Sequence, residues 1–398
     1  MDAVETLISE RRMAVGKLRP VGSRVPKCVK RMHGRPELDW DTRYHTECSA
    51  SGTDALSMAV AVSMAGRPAD STPEVLLPAY GCPDLVAAII AQGAKPILVD
   101  LVPDSPYMDL EHAERAITPA TVALIGVGLL GVPERLDRLS ELCRRKGLFL
   151  IEDSAQCFPP ASTEGGWADF IVLSFGRGKP INLMGGGALL VRRDLLDRAQ
   201  PVLENFPIIG FGSGLKWAFR RWLFNFLLHR IPYRVLEKLP GLKLGETRFR
   251  SLQQTQRLAL PQEVLSSGVA HFSCRPPTHS GYVSELVELS KFGWRSLDGT
   301  TSPSGANRLP RNRFGLLAPS GHLRDLVEYA LNDAGIGASG FYRQILPEID
   351  GLEALFSNTD YPNARNFADR LLTLPSHEDV TEADVTRINK ILRALSQE

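Results

Sequence analysis

The chain has 398 residues, enough for two domains of about 100–200 residues each, and 43% hydrophobic with 23% charged residues suits a large packed core, not a disordered chain. Lys and Arg number 46 against 45 Asp and Glu, so the basic excess that marks a nucleic-acid binder is absent. Cys28, Cys48, Cys82, Cys143, Cys157 and Cys274 form no CxxC and the eight histidines no HxH or HExxH, which excludes a disulfide frame and a metal site and fits a reduced, cytoplasmic protein.

Residues 1–50 carry little periodic signal and read as an N-terminal arm. They lack the apolar core of a secretory signal, and nowhere does the chain approach the about 18 apolar residues of a membrane-spanning helix. From Ser51 the pattern becomes regular. A helix over Asp54–Ala65 is followed by a strand (Glu74–Ala79), a helix (Asp84–Gln92), a strand (Pro96–Leu101), a helix (Leu110–Ile117) and a strand (Val122–Val127). Glu134–Lys146 places Leu136, Leu139, Leu142 and Cys143 on one helical face, with Gly147 as the stop. Strands over Leu148–Asp153, Asp169–Phe175 and Gly187–Arg193 complete the series. Short apolar strands alternating with helices predict an α/β fold with a mostly parallel sheet covered on both faces. Ligands of such sheets sit at the carboxyl ends of the strands.

The rhythm breaks over residues 201–293. Between Phe211 and Arg250, nine Lys/Arg stand against two Glu, and Lys216–Leu239 mixes the basic residues with aromatics. This stretch suits either an anionic membrane surface, with Trp217, Trp222, Phe224 and Phe226 at the interface, or an amphipathic packing or dimer helix ended or kinked by Pro232. Residues 294–398 return to an α/β pattern: a strand at Arg313–Ser320, a helix at Leu323–Gly335, and a closing helix over Val380–Leu395 whose Thr381 and Asp384 approximate a capping box. The expected organisation is an arm (1–50), a large domain (51–200), a connecting region (201–293) and a small C-terminal domain (294–398).

Three segments carry chemistry. In Ser51–Leu56 (SGTDAL) small residues run into a helix, whose free N–H groups and positive dipole end suit a phosphate. In Ile151–Gln156 (IEDSAQ) a carboxylate ends an apolar strand. In Leu173–Val191 a single lysine, Lys179, follows a strand and precedes a triple glycine. Singly these read as a helix cap, a turn residue and a surface lysine. Together they are what pyridoxal phosphate (PLP) chemistry requires: an imine lysine, an acid that keeps the pyridine nitrogen protonated, and a phosphate cradle.

With these motifs in this order, the chain resembles the DegT/StrS-type sugar aminotransferases, which have the fold of type I PLP enzymes. SGTDAL, the strand–helix–strand from Pro78 to Leu101, the run from Ile117 to Gln156, and SFGRGK (Ser174–Lys179) carry the likeness. The resemblance implies that Lys179 forms the imine and moves the substrate proton, and that Asp153 pairs with the ring nitrogen. It places Gln156 near the ring and its phenolic oxygen. Ser174, Gly52 and the backbone at Thr53 and Asp54 would hold the phosphate. It also implies a homodimer and ping-pong transfer of an amino group from an L-amino acid, glutamate or glutamine, to a keto-sugar, nucleotide-linked, in glycoconjugate or secondary-metabolite biosynthesis. A dehydratase of the same fold is disfavoured by Lys179, which such relatives replace, and a degenerate regulatory or membrane-docking member is the remaining alternative.

Three positions depart from the family pattern. Cys82 stands where an aromatic usually stacks on the cofactor ring, which leaves Tyr80 as a substitute or Cys82 as a plain buried thiol. Leu244–Gln253 lacks the asparagine that reaches the neighbouring subunit's phosphate, leaving Thr247, Arg248 or Arg250 for that role. Phe341 precedes Tyr342 where the family has His-Tyr.

Overall fold

In the computed structural model of the chain, residues 16–27, 38–67, 71–212, 214–239, 247–277, 280–297, 309–356 and 360–397 are described. Residues 1–15 and 28–37, half of the expected arm, and residues 244–246 lie outside them.

The large domain is built on a nine-stranded sheet: β1 (Tyr44–Ser49), β2 (Glu74–Pro78), β3 (Lys95–Val99), β4 (Thr121–Val127), β5 (Phe149–Asp153), β6 (Phe170–Ser174), β7 (Gly187–Arg192), β8 (Ile208–Gly210) and β9 (Arg257–Ala259), in spatial order 3-2-4-5-6-7-1-9-8. Strands β3, β2, β4, β5 and β6 are mutually parallel, whereas β7 runs antiparallel to both β6 and β1. The sequence reading missed β1, placing Tyr44–Ser49 in the arm. Its side chains are buried only at the two ends, so no apolar run marks it, and it is ordered by its full-length register with β7.

Successive strand residues point to opposite faces, and the two cores divide accordingly. Leu77, Ile125, Ile151, Val172 and Leu189 pack with helices α1 (Gly52–Met64) and α2 (Pro83–Ile90). Leu76, Leu124, Leu150, Ile171 and Leu190 pack on the other face with α4 (Leu136–Lys146), which follows the short α3 (Leu110–Ala116). The four α4 residues expected on one face are all buried, and Gly147 ends the helix at φ +67° with its N–H on the Cys143 carbonyl. Helix α1 begins at Gly52, two residues before its expected start, because Ser51 is extended and its Oγ accepts the Asp54 N–H at 3.1 Å.

After α5 (Leu196–Leu203) come α6 (Leu215–Leu227) and α7 (Arg230–Glu237), the aromatic-basic segment. Pro232 sits in the first turn of α7, where its missing N–H is tolerated. The carbonyl that this N–H would have bonded in a continuous helix, Leu228, instead accepts Arg19 Nη1 at 3.1 Å. One face of the segment docks inward: Asn225 exchanges two hydrogen bonds with the Val25 backbone (2.9 and 3.0 Å), and Arg230 pairs with Asp384 at 2.5 Å. Trp217 and Phe224, expected among the interfacial aromatics, are partly buried, against Phe211 and under Arg177 respectively. The exposed face carries Leu215, Phe219, Trp222, Phe226, Ile231 and Val235, with Trp222 stacked between the rings of Phe219 and Phe226.

Helices α8 (Gln262–Ser273) and α9 (Ser280–Ser290) lead into the small domain. There β10 (Arg295–Ser296), β11 (Arg313–Leu317) and β12 (Leu371–Pro375) form an antiparallel sheet backed by α10 (Gly321–Asp333) and α12 (Glu382–Ser396), with α11 (Pro362–Arg370) leading into β12. Thr381 and Asp384 make the reciprocal capping box at the start of α12. Among the described residues no helix is long and apolar enough to cross a membrane.

Candidate active site

The carboxyl ends of β5 and β6 face the start of α1, which gathers most of the residues singled out in the sequence. Asp153 is the last residue of β5 and is buried. Its Oδ1 accepts the Ala155 N–H at 2.9 Å, and no described residue donates to its other oxygen. Desolvation raises its pKa from the ordinary carboxylate value, while the nearby Lys179 ammonium acts in the opposite direction. Ser174 ends β6 against Gly52: a Cβ built on Gly52 would lie 2.7 Å from Ser174 Cβ and 3.0 Å from its Oγ, so only glycine allows this approach.

Lys179 lies on a tight turn after β6, with its N–H on the Gly176 carbonyl at 3.2 Å and Gly178 at φ +81°. A Cβ on Gly176 would be 3.7 Å from Ser174 Oγ and 3.9 Å from Lys179 Cγ, which places the serine and the lysine around one glycine. At the helix start, the Asp54 N–H expected to face the phosphate donates to Ser51 Oγ, and the Asp54 carboxylate accepts the Gln256 N–H at 2.8 Å. The donors left by this cap are the N–H groups of Gly52 and Thr53, at the positive end of the α1 dipole.

Gln156 holds two elements together. Its Oε1 accepts the Leu130 N–H at 3.3 Å and its Nε2 donates to the Tyr342 hydroxyl at 3.4 Å. Tyr342 also shares a hydrogen bond with Cys82, whose thiol burial pushes up to about 11. The Tyr80 ring is packed between Tyr342 and Phe367, at 5.8 and 5.1 Å, and belongs to the core. Cys82 is therefore a protonated thiol covered by Tyr342.

Two further residues were invisible in the sequence. Asn312, just before β11, donates to the carbonyls of Gly178 (3.1 Å) and Lys179 (2.8 Å) and so fixes the lysine turn from the small domain. Arg313 lines the same cavity as Lys179, Gln156 and Tyr342, a space of about 140 Å³. No local motif announces either residue, because both act over more than a hundred residues of chain. Thr247, Arg248 and Arg250 lie in an irregular stretch and none of them lines this cavity. Among the described residues no His/Cys/Asp/Glu cluster could hold a metal, and the five described cysteines are free.

PLP fits this arrangement. A buried carboxylate with one oxygen unclaimed, a lysine on a fixed turn, and a glycine that brings a helix N-terminus against a serine side chain are what its ring nitrogen, aldehyde and phosphate need.

Comparison with known proteins agrees. A family model described as the DegT/DnrJ/EryC1/StrS aminotransferase family matches residues 43–213 and 298–393, and the unmatched stretch between them contains α6 and α7. The chain is 28% identical over 352 residues to the dTDP-4-dehydro-2,3,6-trideoxy-D-glucose 4-aminotransferase of Saccharopolyspora spinosa, covering 85% of this chain and 81% of that protein. It is 27% identical over 349 residues to the UDP-N-acetyl-3-dehydro-alpha-D-glucosamine 3-aminotransferase of Acidithiobacillus ferrooxidans, covering 86% and 82%. Its fold is similar to that of NtdA from Bacillus subtilis with the cofactor PMP bound (TM-score 0.66, 17% identity, covering 100% of this chain and 82% of that one). It is also similar to PseC of Helicobacter pylori, an aminotransferase of pseudoaminic acid biosynthesis (TM-score 0.66, 15% identity, 96% and 99%).

Proposed function

The chain belongs to the DegT/DnrJ/EryC1/StrS aminotransferase family and is a PLP-dependent enzyme, and from that premise we propose that it moves the amino group of L-glutamate to a nucleotide-linked keto-sugar. The observations that support this reading are Asp153 and Ser174 at the ends of β5 and β6, the Gly52 helix start packed on Ser174, and Lys179 and Gln156 lining one cavity nearby.

When bound, PLP supplies the aldehyde that takes up the amino group and the ring that accepts electrons from the substrate carbon. Lys179 holds the cofactor and then carries the proton to and from that carbon, its turn fixed by Gly178 and Asn312. Asp153 keeps a proton on the ring nitrogen. Gly52 and Thr53 N–H groups and the Ser174 hydroxyl hold the phosphate, assisted by the α1 dipole. Gln156 and Tyr342 flank the ring position, with the Cys82 thiol beneath them serving as packing. The test is direct: purified protein with PLP, L-glutamate and candidate nucleotide keto-sugars should release 2-oxoglutarate in step with sugar amination. Failure to form a keto acid from any amino donor would overturn the reading.

The assembly we propose is a homodimer, as the family resemblance implies. Light scattering should give twice the chain mass of 43.7 kDa, and an active monomer would contradict it.

The outward face of α6 and α7 we assign to an anionic membrane surface. Lys216, Arg220 and Lys238 are exposed around its apolar stripe, α6 holds no acidic residue, and the lone acid of α7, Glu237, is paired with Lys17 at 2.6 Å. A two-fold contact centred on this face would set these cations against their own copies, whereas anionic lipid complements them. Each engaged cation contributes about 1 kcal/mol. Co-sedimentation with phosphatidylglycerol vesicles is expected, weakening with salt and absent with phosphatidylcholine alone. Trp222→Glu should abolish it and leave the dimer intact. Loss of the dimer in that variant, without vesicle binding by the wild type, would make the face a subunit interface instead.

A further inference from the structure

Between β6 and β7 the chain runs through residues 175–185 without helix or strand, and this stretch carries Lys179. Gly176 and Gly178 precede the lysine, so local backbone preference leaves its direction loose. Yet a group that must meet a cofactor aldehyde and then a substrate proton needs a fixed position, since a misplacement of about 1 Å costs on the order of 10²-fold in rate. The restraint has to come from elsewhere in the chain.

It acts on three consecutive carbonyls. Asn312 Nδ2 donates to those of Gly178 and Lys179, and Arg275 Nη1 donates to that of Pro180 at 3.3 Å. Arg275 stands two residues beyond the end of α8, is 6% exposed, and lies over the Phe272 ring at 5.6 Å. Its Nη2 donates to Asn312 Oδ1 and to the Arg311 carbonyl, and its Nε faces Glu378 Oε2 at 3.4 Å. All three guanidinium nitrogens are thus engaged, and Glu378 balances the charge. Glu378 Oε1 in turn accepts the Arg24 N–H at 2.7 Å, and the Ser23 carbonyl accepts Asn182 Nδ2 at 2.6 Å, so residues 23–24 close the network from the other side of the turn.

Only one orientation of the Asn312 amide serves the lysine turn. A guanidinium donates and has no acceptor, so Arg275 admits the amide oxygen alone and turns the NH2 group towards the Gly178 and Lys179 carbonyls. The flipped amide would set its oxygen against both. We propose that Arg275 is a positioning residue for the imine lysine: it selects the orientation of Asn312, holds the Pro180 carbonyl, and through these contacts directs Lys179. This rests on the assignment of Lys179 as the imine lysine. Arg275 and residues 23–24 lie outside the stretches that the family model matches, so the likeness to the family assigns them no role.

The test uses the purified full chain with PLP and L-glutamate. In Arg275→Gln, whose amide both donates and accepts, the orientation of Asn312 is no longer selected. The rate at which added PLP becomes reducible onto the chain by borohydride should fall by at least about tenfold, and the limiting rate of the glutamate half-reaction by about 10²-fold. The half-saturating glutamate concentration should stay within about threefold, because Arg275 does not line the lysine cavity. Arg275→Lys keeps a charge beside Glu378 and should recover part of both rates, since one ammonium donates without spanning Pro180 and Asn312 together. In a Lys179→Ala background, where PLP is held without a covalent bond, Arg275→Gln should leave PLP affinity unchanged by calorimetry. Wild-type rates in Arg275→Gln overturn the proposal, as does a loss carried by the half-saturating concentration alone. A fall in PLP affinity in the Lys179→Ala background also overturns it, because the residue would then act on the cofactor site and not through the lysine. If Arg275→Gln does not fold, Arg275→Lys decides by the same measurements, with wild-type rates counting against. Full turnover in Lys179→Ala would sink the lysine assignment itself, whereas an inert Lys179→Ala beside a wild-type Arg275→Gln would sink the clamp alone.

Discussion

Lys179→Ala is expected to lower transamination by at least about 10³-fold, the scale of losing both the covalent anchor and the proton carrier. The fold should survive. The turn is held through backbone groups that alanine retains: the Lys179 N–H on Gly176, and the Gly178 and Lys179 carbonyls on Asn312. The loss is therefore chemical, and three measurements separate it from unfolding. Thermal unfolding should stay near the wild-type midpoint. PLP should still bind, through Gly52, Thr53, Ser174 and Asp153, with weaker affinity. Borohydride should fix the cofactor to the wild-type chain and not to the variant. Full turnover in Lys179→Ala, with the cofactor still reducible onto the chain, would assign the role to another amine.

Asp153→Asn should keep the cofactor bound and slow turnover roughly 30- to 150-fold, or about 2–3 kcal/mol in the barrier, the size of a lost charge-assisted hydrogen bond. The amide still accepts the Ala155 N–H, so the strand end keeps its geometry. What disappears is the negative charge that holds a proton on the ring nitrogen. Stability gives an independent readout with a defined sign. Burial raises the Asp153 pKa in the cofactor-free protein, so the folded state binds this proton more tightly than the unfolded chain. That contribution to stability is fully present at low pH and is lost as pH rises through the shifted value. Asp153→Asn removes this pH slope from the cofactor-free protein, read as the unfolding midpoint against pH. Near-wild-type turnover would reduce Asp153 to a turn residue.

The fold class and much of the site were legible because their signals are local. A short apolar strand ending in a carboxylate, small residues running into a helix, and a lysine before three glycines each report on neighbouring backbone, where strand period, cap chemistry and glycine freedom act within a few residues. The likeness to a family joined them. Boundaries moved by a residue or two where a side chain decided them, as at Ser51, whose cap starts α1 at Gly52 and takes the Asp54 N–H away from the phosphate space. Strand β1 stayed hidden because half-buried positions leave no apolar run, and only pairing with β7 gives it order.

By itself, then, the sequence determined the mostly parallel α/β core and the cofactor chemistry, and it singled out Lys179 and Asp153 as candidates for that chemistry, since each signal is written in residues near one another along the chain. The tertiary structure decided which groups complete them. Asn312 and Arg313 reach the lysine turn from the small domain, and Tyr342 covers Cys82 and bonds Gln156 from a distance of 186 residues. It also split the aromatic-basic segment into a face that docks on the Val25 backbone and Asp384 and a face left to solvent. Such choices depend on which distant surfaces meet and which charges go unpaired when they do, and no periodicity along the chain records that.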